Sequence, residues 1–437
     1  MKPLFSLFLV VFTASVCNGQ HWMQWRGPLM TGEAPNAKPP THWSETENIK
    51  WKTKLPGQGH SSPVLTDKYV FLTLAREIGK PFDPRPDTAP GAHDNKMVSS
   101  KFEFVGVAIN RQTGTVQWEK VLHSAIPHEG AHVSASLASA SPVTDGQRVW
   151  FFFGSYGLYC LDADGNQVWS KQLGTMNTKH GHGEGASPVL SGDRLAVNWD
   201  HEGQSFIVVM NKLTGQVLWK KERDEVTSWS SPIVVEHNGQ KQLIVAGTNR
   251  IRAYDMKSGD VFWQCGGMSN NIVASPVYAD GMVFVGSSYV QRQMLGIRLE
   301  GASGDITSTE NVVWSRTART PYVPSLLLAD GHLYFLRHYQ GVLTRLVAAT
   351  GDEPTGPFRL RSMNEIYASP VAADGRIYVT DRSGTTAVIT SSDQPQTIAV
   401  NRLNDRFNAS AALAGDEFYL RGENFLYCIA DDSNHEK

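Results

Sequence analysis

A small residue followed by Ser-Pro-Val or Ser-Pro-Ile recurs six times along the chain, with its serine at Ser62, Ser141, Ser187, Ser231, Ser275 and Ser369. Two looser copies keep the frame, VPSLLLADG at Ser325 and ASAALAGDE at Ser410. Successive serines are 79, 46, 44, 44, 50, 44 and 41 residues apart. Each unit runs on through a DG-type turn, alternating apolar segments and a second Gly turn to a closing Trp, which makes four short strands per repeat. A unit of this kind cannot bury its apolar faces alone and must stack on its neighbours. The pattern therefore predicts an all-β fold, an eight-bladed β-propeller of four-stranded blades.

Proline has no N–H to give to a ladder, so the Ser-Pro segment belongs on the innermost strand, which has a sheet neighbour on one side only. The closing pattern TG-x-x-x-W is clear at Gly114 with Trp118 and Gly215 with Trp219, varied at Gly165 with Trp169 and Gly259 with Trp263, and stretched at Gly304 with Trp314 and Gly351 with Phe358. A ring of that size belongs on the outermost strand, wedged between blades. After Ser410 the last unit ends without such a strand, whereas IKWKTKL around Trp51 precedes the first unit. The N-terminal strand is expected to close the last blade and remove a free sheet edge. The long first interval places an insertion over residues 76–101, rich in Pro and Asp, in the first blade.

Residues 1–20 carry one Lys, an apolar run from Leu4 to Val16 and small residues near Gly19, the layout of a cleaved secretory signal. The run is too short to span a bilayer, so no transmembrane segment is expected after cleavage. Residues 21–437 form one domain, expected as a monomer in the periplasm or cell envelope. Lys+Arg 40 against Asp+Glu 42, with no long run of either sign, leaves no electrostatic footprint for nucleic acid. Cys160, Cys265 and Cys428 remain in the mature chain, without a CxxC pair, and read as packing residues rather than a disulfide framework or zinc site.

The strand-Asn-x-x-TG-x-x-x-W segments VAINRQTGTVQW and VVMNKLTGQVLW resemble the tryptophan-docking repeat of the pyrroloquinoline-quinone-type (PQQ-like) β-propellers. WRGP at Trp25, FGSYGLYCLD, DHEGQSFIVVMN and SWSSPIVV look like an exported bacterial subgroup of them. That resemblance implies either a quinoprotein dehydrogenase or a non-catalytic module like the propeller of the outer-membrane β-barrel assembly machinery, BamB. The dehydrogenases stack their cofactor PQQ on a disulfide between adjacent cysteines and use Ca²⁺ and an Asp base; no Cys-Cys pair occurs in this sequence. The reading is accordingly a binding or scaffolding module for a protein partner or a saccharide-like ligand, with no cofactor and no metal expected. A PQQ- or metal-dependent oxidoreductase is the alternative, with Asp200, His201 and Glu184 as its candidate catalytic groups.

Loops leading into the innermost strands share one face of the disc, and binding residues concentrate on such loops. In this sequence they are polar and aromatic, and they nominate His60, His132, His182, Trp229, Asn271, Arg319, Tyr322, Glu365, Tyr367 and Arg406 as ligand or partner contacts. Middle-strand loops add Asp381 and Arg382, together with Arg337 and His338. Imidazoles at His60, His132, His180, His182 and His201 match no metal-ligand spacing and read as neutral, hydrogen-bonded groups.

Overall fold

The computed structural model describes residues 21–337 and 339–431; residues 1–20, on which the expected signal falls, His338 and residues 432–437 lie outside the described residues. Eight sheets of four antiparallel strands follow one another round a ring, and their innermost strands begin at Val64, Val143, Val189, Ile233, Val277, Leu327, Val371 and Ala412. We number the blades 1 to 8 in that order. Strand Ile49–Lys54 forms the outer edge of blade 8, paired antiparallel with Phe425–Ile429, so the ring closes through the N-terminal strand as expected. Blade 4 gains a fifth strand, Gly304–Asp305, lying parallel to its outermost strand Val261–Gly266.

The Ser-Pro dipeptides sit just ahead of the paired innermost strands, where the missing proline N–H interrupts no ladder. The serines do more than mark the repeat. Each backbone N–H donates to the hydroxyl of the next repeat serine: Ser62 to Ser141, Ser141 to Ser187, Ser187 to Ser231, Ser231 to Ser275, Ser275 to Ser325, Ser325 to Ser369 and Ser369 to Ser410, all at 2.8–3.1 Å. This belt satisfies buried donors that the innermost strands cannot pair among themselves. It stops at the seam: the Ser62 hydroxyl has no partner among the described residues. There the buried Arg421 of blade 8 reaches across to Ser61 and to the Thr73 carbonyl of blade 1.

The outer rim is held by the tryptophans. Trp51, Trp118, Trp169, Trp219 and Trp314 each donate their indole N–H to a carbonyl of the following blade, at 2.9–3.2 Å. The same rings lie flat on Gly114, Gly165, Gly215, Gly259 and Gly351, where an added Cβ would come within 2.6–2.8 Å of the ring. Trp263 departs from the pattern and bonds Gln242 in its own blade instead, which leaves Gly304 uncovered. Cys160 and Cys428 occupy matching registers, opposite Trp150 and Trp169 in blade 2 and opposite Tyr419 and Trp51 in blade 8. Among the described residues, Cys160, Cys265 and Cys428 are buried and free.

Residues 22–48 cross one end of the ring before the closing strand begins. Trp22 pairs with Leu65 of blade 1, the Met23 carbonyl accepts from Thr144 of blade 2, Thr31 and Gly32 accept from Leu328 and Ala372 of blades 6 and 7, and Lys38 donates to Gly415 of blade 8. Arg26 is buried and gives its guanidinium to the carbonyls of Pro370 and Leu326. One end of the central channel is thereby floored by the chain itself.

Candidate functional site

Above that floor the channel opens into a pocket of ≈610 Å³, within the size range of small-molecule sites. Its base is Trp25, whose indole donates to the Ser275 hydroxyl of the serine belt at 3.1 Å. Its two walls differ in chemistry. Along blades 1 to 3 stand His60, His93, His132 and His182 with Trp229; along blades 5 to 7 stand Tyr289, Tyr322, Tyr339 and Tyr367.

The tyrosines form one continuous arc. Tyr289 stacks on Tyr322 at 6.0 Å, Tyr322 meets Tyr339 edge-on at 5.5 Å, and Tyr339 stacks on Tyr367 at 4.6 Å. Burial raises the phenol pKa of both Tyr322 and Tyr339, so these two hydroxyls stay protonated. Arg382 caps the arc from outside, 5.6 Å over the Tyr367 ring.

The histidine wall is assembled by the insertion. Strands Tyr69–Ile78 and Lys101–Asn110 extend the blade 1 hairpin outward with Ile78 opposite Lys101, so the loop proper is 79–100. It folds back over the mouth, and Asn95–Lys96 pairs with Ala131–His132. His93 then meets His180 at 4.8 Å and His182 at 4.9 Å, and His132 meets His182 at 4.8 Å. Each ring has one nitrogen anchored: His93 on the Gly91 carbonyl, His180 on the Pro90 carbonyl, His182 on the His93 carbonyl and His132 on Ser134. Burial, then the neighbouring His132, push the His182 imidazole down to about 4. His60 is pushed down to about 3 by burial and by Arg421. The His60 and His182 rings are neutral at pH 7.

Of the residues nominated from sequence, His60, His132, His182, Trp229, Asn271, Tyr322 and Tyr367 line the pocket together with Glu184. Asn271 adopts a left-handed φ of 59°, and its buried Oδ1 has no partner among the described residues. The others stand elsewhere. Arg319 pairs with Glu353, Glu365 with Arg382 and Arg406 with Glu423 on the rim. Asp381 is buried and caps its own turn by accepting from Ser383 and Thr385. Asp200 lies in a fully buried ion pair with Arg223 at 2.7 Å. His201 accepts from the N–H groups of Asn177 and Gly203. Trp25, His93, Tyr289 and Tyr339 were not nominated; a scan of the middle-strand turns for aromatics would have found the two tyrosines.

A ring of four-stranded blades docked by tryptophan is the architecture of the PQQ-like β-propellers. Within that class, a family model described as outer membrane protein assembly factor BamB matches residues 41–199, 101–354 and 203–435, and the chain belongs to this family. No curated protein matches the sequence. Among solved structures, BamB from Moraxella catarrhalis superposes with TM-score 0.53 at 14% identity, covering 81% of this chain and 98% of that one. A europium-containing methanol dehydrogenase superposes with TM-score 0.63 at 9% identity, covering 93% and 90%. The computationally designed Ika8 protein gives 0.55 at 12%, covering 86% and 98%. An assembly factor, an enzyme and a designed protein on one fold show that the fold leaves the function open.

A flat, polyanionic quinone of the dehydrogenase kind does not fit the residues present. The described cysteines are separate and buried, and the guanidinium groups of Arg319, Arg382 and Arg406 are paired with carboxylates outside the pocket.

Proposed function

We propose that this chain is a non-catalytic binding module of the cell envelope whose mouth takes a neutral, saccharide-like ligand. The tyrosine arc over a closed floor carries this reading. Aromatic faces bind the C–H faces of sugar rings while hydroxyls and imidazoles serve the sugar hydroxyls, and the pocket offers both kinds of surface. No Lys or Arg lines the pocket among the described residues, and its carboxyl groups are Asp94 and Glu184, which argues against an anionic ligand. For the dehydrogenase alternative, Asp200 would have to act as a base while committed to Arg223, and Glu184 is tied to Ser155. Envelope placement rests on the apolar Leu4 to Val16 run and on family membership; no helix among the described residues is long and apolar enough to cross a membrane. Membership in an assembly-factor family also supports a protein partner, which would insert a side chain into the same mouth.

The test is a melting-shift screen of the mature protein with neutral and acidic oligosaccharides, followed by calorimetry on the strongest. One saturable site, lost in Tyr339→Ala at an unchanged melting temperature, is expected. No shift with any saccharide, alongside specific retention of one envelope protein that Tyr339→Ala abolishes, would replace the saccharide by the partner.

A further inference from the structure

Beside the mouth, behind Trp229, lies a second and much smaller chamber of ≈30 Å³ between blades 2 and 3, room for one water-sized species. Three carboxylates line it: Glu129 from the loop leading into blade 2, Glu184 from the loop leading into blade 3, and Asp200, which is already committed to Arg223. A Glu129 oxygen, a Glu184 oxygen and a His128 ring nitrogen all lie within 4.8 Å of one another. Oxygens on opposite sides of a calcium ion, at ~2.4 Å each, are ~4.8 Å apart.

Both glutamates are oriented by donors on their outer sides. Glu184 accepts from the N–H and hydroxyl of Ser155 at 2.7 and 2.5 Å, and Glu129 accepts from the N–H and hydroxyl of Thr178 at 3.1 and 2.6 Å. Gly154 makes room for the first of these: an added Cβ would fall 1.3 Å from a Glu184 oxygen. His128 has no nitrogen to offer, since one faces the Tyr156 hydroxyl at 2.9 Å and the other the Met176 carbonyl at 2.7 Å. The available donors are oxygens.

An independent observation comes from Asn198, which lines the same chamber and is 2% exposed. Its amide nitrogen donates to Asp200 at 3.2 Å and to Ser228 at 3.3 Å. Turning the amide over would set its oxygen against the Asp200 carboxylate, so the orientation is fixed. The Oδ1 atom is buried without any hydrogen-bond partner among the described residues. A buried carbonyl oxygen left unpaired costs free energy, and a cation is what two carboxylates and such an oxygen would jointly satisfy.

We propose that Glu129, Glu184 and Asn198 hold a hard divalent cation, calcium or magnesium, in the chamber between blades 2 and 3. The ion ties together the two loops that carry His132 and His182, and so stiffens the histidine wall of the mouth. The site uses no quinone and stands independently of the saccharide reading.

The experiment is calorimetric titration of the mature, chelator-treated protein with Ca²⁺ and with Mg²⁺, supported by terbium luminescence sensitised through Trp229. One-to-one binding that raises the melting temperature is expected. Glu184→Gln, isosteric with the protonated acid, and Glu129→Gln should each weaken it by about tenfold or more. Glu202→Gln, which removes a nearby carboxylate outside the chamber, should leave it unchanged, as should Tyr339→Ala, which separates this inference from the ligand reading. No binding at millimolar cation, or equal affinity in wild type and Glu184→Gln, would overturn the site.

Discussion

At the scale of single residues, the serine belt separates two substitutions that look identical in sequence. Ser187→Ala removes the acceptor for the buried N–H of Ser141, and an orphaned buried donor costs about 1–3 kcal/mol. Ser62→Ala removes a hydroxyl that accepts nothing, and should change stability by less than about 0.5 kcal/mol. Chemical denaturation of the two variants checks this; equal losses would mean the hydroxyls matter only as packing volume. Asp200 invites a sharper test, because sequence nominated it as a catalytic base and the structure buries it against Arg223. Asp200→Ala should cost about 3–5 kcal/mol by stranding a buried guanidinium, measured as a shifted urea midpoint. A stable variant would reopen the catalytic assignment. The serines were legible as a repeat marker because spacing is written in the sequence. Their mutual hydrogen bonds were not, since residue type does not state its partner, and the same holds for Asp200.

At the scale of elements, the insertion is the part whose docking depends on pH. Its residues 95–96 pair with 131–132, and its His93 packs on His180 and His182. Around His132 stand Asp94, which favours its charged form, and His93, Arg382 and Lys96, which oppose it. His182 titrates at about 4 when docked, below the ordinary 6.5 of a released imidazole. The released state therefore takes up protons first as pH falls, so the docking contribution is whole above about 6.5 and drains away toward about 4. Hydrogen exchange at Asn95 and Lys96, corrected for intrinsic rates, should be faster at about pH 5 than near neutrality, and His182→Gln should flatten the difference. Pairing that is indifferent to pH would show that the strand alone holds the loop. The polarity of the HEGAH and KHGHGEG loops was legible, and they do build one wall. Arg319, Glu365 and Arg406 were nominated for their charge, yet on the rim each finds an opposite charge close by. The tyrosine arc was half seen, because Tyr289 and Tyr339 sit in turns that carry no repeat signature.

At the scale of the whole molecule, closure and flooring are two tasks of one N-terminal segment, and truncation can separate them. Strand Ile49–Lys54 closes blade 8, a role read from the missing Trp strand after Ser410. Residues 22–48 lie across the channel end, a path that no periodicity announces because the contacts are made one residue at a time to six separate blades. Removing residues 21–48 while keeping Ile49 onward should leave an intact ring without a floor. The deletion takes away Trp22 and Trp43, 1% and 3% exposed, and uncovers the apolar surface they pack on, at about 3–5 kcal/mol each, and it takes away Arg26, which ties the Leu326 and Pro370 carbonyls. A lower melting temperature, by roughly 5–10 °C, is expected with an unchanged β-sheet circular dichroism spectrum. Trp25→Ala in the full chain removes only the pocket base and should weaken saccharide binding while sparing stability, since its one polar contact is to Ser275. If the truncated ring instead unfolds or self-associates, the segment is needed to hold the blades in a circle. If Trp25→Ala binds as wild type does, the ligand rests on the tyrosine arc alone, above the level of the belt.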